Sequence, residues 1–297
     1  MIIAKRLPIR IVLQKSLPSI LAVTIYASLV YSLTLYLDIP NISISIPAFM
    51  GTSITLLLSF KLNQSYDRWW EGRKIWGAIV NDSRSLVVQA RQFIKDSPAS
   101  SELIKKIAYR QIGWCHVLAR ALRRLDQKTI LGEYISADEK HVIDQQTNLP
   151  LALLDQHGND IRKLHEDHLI NDYQQVQLDQ TIVRLTTSMG QAERIKNTVF
   201  PPAYAYMINV FMYLFLALFA LSVAETIGIW QVVLSTLISI PFILLMRTAY
   251  VLQDPFENEP SDTPMTAISN TIERNLKELL GEVVEDQNTT ANKYYIM

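Results

Sequence analysis

The chain of 297 residues has a single cysteine, Cys115, so it can form no intramolecular disulfide and no cysteine-based metal cluster. That usage fits a reducing compartment. Glycine is equally scarce, with nine residues, and no glycine-rich phosphate loop, nucleophile elbow or paired-cysteine site occurs. These absences remove the usual sequence routes to catalysis, and we expect no enzyme and no cofactor. Net charge is also missing, because 28 Lys and Arg balance 28 Asp and Glu. The total therefore asks for neither an acidic nor a basic partner. The local absence says more. Residues 16–60 and 203–246 hold almost no charge, whereas 61–200 and 253–297 are rich in it. A water-soluble globule mixes charge along its length, so this separation implies two solvents, lipid and water.

A membrane-spanning helix needs about 20 mostly apolar residues. Four segments qualify: 17–37, 42–60, 203–224 and 229–252. The second is the most polar, with five Ser and Thr hydroxyls besides Pro47 and Gly51. Such hydroxyls pack against other helices or face a wet lumen, and both keep this helix from lipid. In the fourth span, Arg247 must snorkel or pair. Lys5, Arg6, Arg10 and Lys15 precede the first apolar run like the start of a signal peptide, but no small-residue cleavage site follows. We read an uncleaved span.

The short connections "DIPN" (38–41) and "ETIG" (225–228) contain no Lys or Arg, while the basic residues gather on the other side. Positive residues stay cytoplasmic, so both termini and residues 61–200 are expected in the cytosol, with the chain multi-pass in the inner (plasma) membrane. The expected divisions are a basic segment 1–16, a first hairpin 17–60, a cytosolic block 61–200, a second hairpin 203–252 and a C-terminal part 253–297.

The cytosolic block reads as helix. Ile79, Ser83, Leu86 and Ala90 form one stripe. After "DSPASS", with Ser97 a capping candidate, residues 102–124 form another amphipathic helix. A last helix begins near Thr263, the cap candidate, with Pro264 in its first turn and Gly281 as its stop. The basic residues of 105–124 could suggest nucleic acid, but their spacing reads more simply as a wet helix face, and no nucleic-acid partner is expected. "HEDH" (165–168) could hold a metal, but reads more simply as a polar loop. Thr52, Leu56 and Phe60 share a helix face that Asn63 and Asp67 prolong. Alone, that stripe is better explained as a packing seam than as a pore lining.

"SYDRWWEGRKIWG" (65–77) resembles the Arg-Trp-Trp element of the bestrophin family of ion channels. The likeness extends over the four-span layout, "AERIKNTVFPPAYAY" (192–206), "LQDPF" (252–256) and "ISNTIERNL" (268–276), the last most like bacterial members. It implies an all-α membrane protein: a homopentamer around one pore, with four spanning helices and a cytosolic helical domain in each copy. Its partners are lipid, its own copies and small monovalent ions.

By this resemblance Thr52, Leu56 and Phe60 form the hydrophobic neck, with Thr52 a departure toward a wetter end. Arg68, Trp69 and Trp70 mark the boundary where the pore helix leaves the bilayer, and Arg68 and Glu71 are expected to tie that junction. A cytosolic constriction maps near 169–175, on Tyr173 or, second, Ile170, with Asp172 supplying a ring of carboxylates. Animal members bind calcium after the fourth span. Here Glu259 and Asp262 fall at those positions, but the acidic run is thinned and broken by Pro260. Phe60 ring edges favour anions and an Asp172 ring favours cations, and the balance leans to cations. The rival reading is a non-conducting, membrane-anchored scaffold or sensor acting through its cytosolic block.

Overall fold

The computed structural model describes residues 9–37, 42–95, 98–199 and 201–284. The "DIPN" turn, the cap candidate Ser97, most of the first basic segment and the end of the tail lie outside them. Among the described residues every regular element is a helix: α1 (Ile9–Tyr36), α2 (Ser45–Phe93), α3 (Pro98–Leu122), α4 (Lys128–Leu131), α5 (Ala137–Ile143), α6 (Leu149–Glu166), α7 (Asp172–Asn197), α8 (Pro202–Ile227), α9 (Trp230–Gln253) and α10 (Met265–Leu279). They divide into two compact units. One holds α1, α2 as far as Trp69, α8 and α9; the other holds α2 from Trp70 onward, α3 to α7 and α10.

Four helices are long and apolar enough to cross a membrane: Ser16–Tyr36, Ser45–Phe93, Pro202–Ala224 and Trp230–Gln253. The first unit is built from them, and α2 is the least apolar, with a mean hydropathy of 1.3 against 2.2 for α8. Val23 of α1, Ile54 and Leu58 of α2, Ile208, Met212 and Phe215 of α8 and Ile243 of α9 form its core. Gly51 permits close packing, since a Cβ there would come within 3.2 Å of the Phe215 ring and require it to shift by a few tenths of an ångström. Between α8 and α9 the chain reverses at Gly228, whose φ of 53° and ψ of −133° suit a residue without a Cβ.

The second unit has its own core. The expected stripe is there, for Ile79, Ser83, Leu86 and Ala90 are all buried. From α3 come Ile107, Ile112, Trp114, Val117, Leu118 and Leu122. The basic residues of this stretch are only partly a wet face: Lys105 and Lys106 are exposed, but others are not. Arg110 is wholly buried, pairing with Glu139 and, at 2.7 Å, with Asp160. Lys106 reaches Asp160, Lys105 reaches Glu282, and Arg123 donates to Thr266. Amphipathic spacing could not anticipate this, because the acids that pair with these cations lie on other helices.

Two ends differ from expectation. The residue capping α10 is Pro264, not Thr263, whose hydroxyl is buried without a partner while its N–H bonds the Pro255 carbonyl. The chain enters α10 from a folded loop, and that loop takes the Thr263 backbone first. "HEDH" is where α6 ends rather than a free loop: His165 is in the helix and His168 has a φ of 54° just beyond it. The stop at Gly281 is as expected, with a φ of 79°.

Candidate functional site

Within the first unit α2 has two contrasting faces. Ile54, Leu58, Lys61 and Ser65 are buried against the other spans. The opposite face leaves Thr52, Leu56, Phe60, Asn63 and Asp67 uncovered, with Leu56 57% and Phe60 53% exposed. Spacings of three and four residues keep all five on one stripe of a continuous helix. The Thr52 hydroxyl donates to the Ala48 carbonyl at 3.1 Å, and Thr55 likewise to Gly51 at 2.8 Å. These donors are satisfied inside the helix, so the face needs no partner helix to pair them. A groove of about 720 Å³ runs beside the stripe, lined by Pro47, Gly51, Thr52, Leu56, Phe215 and Phe242.

Past Phe60 the helix is fastened to the end of α9. Lys61, fully buried, donates from Nζ to Gln253 Oε1 at 3.0 Å and lies 4.8 Å from the Tyr250 ring centroid. Arg68 donates from Nε to the Gln253 carbonyl at 2.9 Å and pairs with Asp254 at 3.4 Å. Tyr66 and Trp69 stack loosely, their centroids 5.8 Å apart. The two units divide between Trp69 and Trp70, so the tryptophan pair marks the change of unit along one unbroken helix. Within the second unit Glu71 pairs with Arg194 at 2.8 Å, and the Gly72 backbone lies against Pro255 and Phe256. Arg68 and Glu71 thus have separate partners rather than one shared tie. Sequence reasoning missed the clasp made by Lys61. Its one signal was a lysine directly after an apolar run.

The positions near 170 separate. Ile170 is 3% exposed, inside the second unit's core, whereas Tyr173 is 86% exposed. Asp172 opens α7, and its Oδ1 lies 2.7 Å from His165 Nε2.

A sequence model described as "Bacterial/Fungal Bestrophin protein" matches residues 9–278. The chain belongs to the bestrophin family. Among its curated relatives, a voltage-dependent anion channel-forming protein of Ralstonia nicotianae is 28% identical, over 82% of this chain and 79% of the relative. One from a Nostoc species is 27% identical, over 86% and 82%. Both are named for channel formation, not for an enzymatic reaction. The crystal structure of a bacterial bestrophin homologue from Klebsiella pneumoniae superposes with a TM-score of 0.82 at 26% identity, covering 92% of this chain and all of that one.

The family resemblance assigns calcium to the loop that holds Glu259 and Asp262. Asp262 is 3% exposed, and its Oδ2 accepts from the backbone N–H groups of Glu257 (2.7 Å) and Glu259 (3.1 Å). Burial pushes its carboxyl up to about 6, despite those hydrogen bonds. A carboxylate facing N–H donors has the opposite surroundings to a calcium ligand, which needs about six to eight converging oxygens. Glu259 is exposed, and no group of three or more His, Cys, Asp or Glu among the described residues could hold a metal. The residues present fit a braced turn rather than a calcium cage.

Proposed function

We propose that this bestrophin is a homopentameric channel for small monovalent ions, in the inner membrane with both termini in the cytosol. The observation that carries the reading is the uncovered stripe of α2, on which Leu56 and Phe60 face outward from the protomer while Ile54 and Leu58 on the opposite face pack against the other spans. Around a fivefold axis these side chains would make a narrow apolar ring. An ion entering it loses hydration without replacement, and widening or wetting the ring opens the path. The groove beside Thr52 and Leu56 would be covered by the neighbouring copy. Tyr173 is the better placed of the two candidates for a second, cytosolic constriction.

The relatives are named for anions. For this chain we propose a modest preference for cations, with acidic side chains at the cytosolic end of the path opposing any anion preference of the Phe60 ring edges. Because the Asp262 carboxylate is engaged by backbone donors, conduction is proposed to be independent of micromolar calcium. Reconstitution tests the reading. Purified protein should have the mass of five copies, and liposomes containing it should release sodium or chloride faster than empty ones. A five-copy assembly that passes neither ion would favour the membrane-anchored scaffold.

A further inference from the structure

We propose that Asp67 is the residue that sets charge selectivity, as a ring of fixed carboxylates just beyond the narrowest part of the path. The inference rests on the reading of Thr52, Leu56 and Phe60 as pore-facing.

Asp67 follows Phe60 by seven residues on one uninterrupted helix, α2. Seven residues turn the helix to within about 20° of the starting direction and advance it about 10 Å. Whatever space Phe60 faces, the Asp67 side chain therefore faces too. It is exposed, as is Asn63 between them.

The charges around it are sorted. The cations on this length of α2 are drawn toward α9: Lys61 is buried and bonded to Gln253, and Arg68 is held by the Gln253 carbonyl and Asp254. Asp67 has no hydrogen bond or ion pair among the described residues. Between Phe60 and Trp69, positive charge is thus drawn toward α9 and Asp67 is the exposed charge on the stripe; Lys74, seven residues further along the same helix, is the next exposed cation. Asp172, the other acid expected along the path, shares its carboxylate with His165 and sits in the first turn of α7. Its side chain is 90% exposed on the second unit, away from the Phe60 stripe in sequence.

A distance of about 10 Å is close to one Debye length at physiological salt, so the carboxylates act on an ion at the Phe60 ring with only partial screening. A narrow mouth with low-dielectric walls strengthens the effect, and identical charges add. The ring concentrates cations at the neck and depletes anions.

The test is the reversal potential in a planar bilayer under a sodium chloride gradient. The parent should favour sodium, and Asp67→Asn should lower the sodium-to-chloride permeability ratio by about threefold or more. Asp172→Asn should change it less. For a measurement independent of folding with a new residue, Asp67→Cys can be modified after assembly: a negatively charged thiol reagent should restore the parent ratio, and a positively charged one should push it toward chloride. The native Cys115 is buried and stays silent. A conducting parent that favours chloride, or an Asp67 series whose ratio does not move, overturns the proposal while leaving the channel in place. A parent that passes no current overturns the channel reading itself.

Discussion

Arg68 Nε donates to the main-chain carbonyl of Gln253 at 2.9 Å, and its guanidinium also pairs with Asp254. The motif arginine therefore fastens α2 to the end of α9. A guanidinium can make both contacts from one plane, whereas a lysine ammonium cannot reproduce the fork. Arg68→Met should lower stability by about 1.5–3 kcal/mol, the range for hydrogen bonds involving a charged group. Arg68→Lys should recover only part of that loss. Thermal unfolding in detergent measures both, and equal melting points for parent and Arg68→Met would show that the clasp carries no weight.

The apolar stripe makes a second prediction. Removing both rings of bulk with Leu56→Ala plus Phe60→Ala should wet the constriction and raise open probability or conductance. Neither residue supports the protomer core, since both are more than half exposed. The pentamer should survive, as size-exclusion chromatography would report. Unchanged currents from an intact double variant would put the constriction elsewhere.

Asp262 predicts a pH dependence of stability. Burial raises its carboxyl from 3.8 in the unfolded chain to about 6 in the loop. The folded state therefore holds the proton more tightly, and the associated stability is full below 3.8 and lost as pH rises through about 6. Asp262→Asn keeps an oxygen for the Glu257 and Glu259 N–H groups but cannot ionise. The parent should lose melting temperature relative to Asp262→Asn between pH 4 and pH 7. Asp262→Ala, which leaves both N–H groups unpaired, should be less stable at every pH by about 1–3 kcal/mol. A constant difference between parent and Asp262→Asn across that range would contradict the assignment.

Topology can be read with thiols, because burial pushes the Cys115 thiol up to about 12 and leaves it unreactive. In intact cells an impermeant maleimide should label Thr226→Cys, which is exposed beside the α8–α9 turn, and should not label Gln177→Cys on α7. The reverse pattern would invert the arrangement.

The spans were legible because lipid imposes length and composition directly: residues 203–224 fall within α8, and 229–252 match α9 to within one residue at each end. Gly281 was legible as a helix stop because its left-handed backbone suits glycine. The burial of Arg110 was not, since charge spacing on α3 carries no information about Glu139 and Asp160 on distant segments. For the same reason Lys61 looked like an ordinary interfacial cation. Its partner Gln253 lies 192 residues away in the chain. The stripe of Thr52, Leu56 and Phe60 was visible as a shared helix face, and it is uncovered in the protomer, but periodicity alone cannot separate a lumen from a packing seam.

The central claim is that the uncovered face of α2 lines a conducting path. Unitary currents from purified Leu56→Cys protein in a planar bilayer, recorded before and after a charged thiol reagent is added, test it most directly. The account predicts discrete currents in the parent that ignore the reagent, and Leu56→Cys currents that change stepwise as individual copies react. Parent bilayers without unitary currents, or Leu56→Cys currents untouched by a reagent that mass spectrometry shows has reacted, would contradict it.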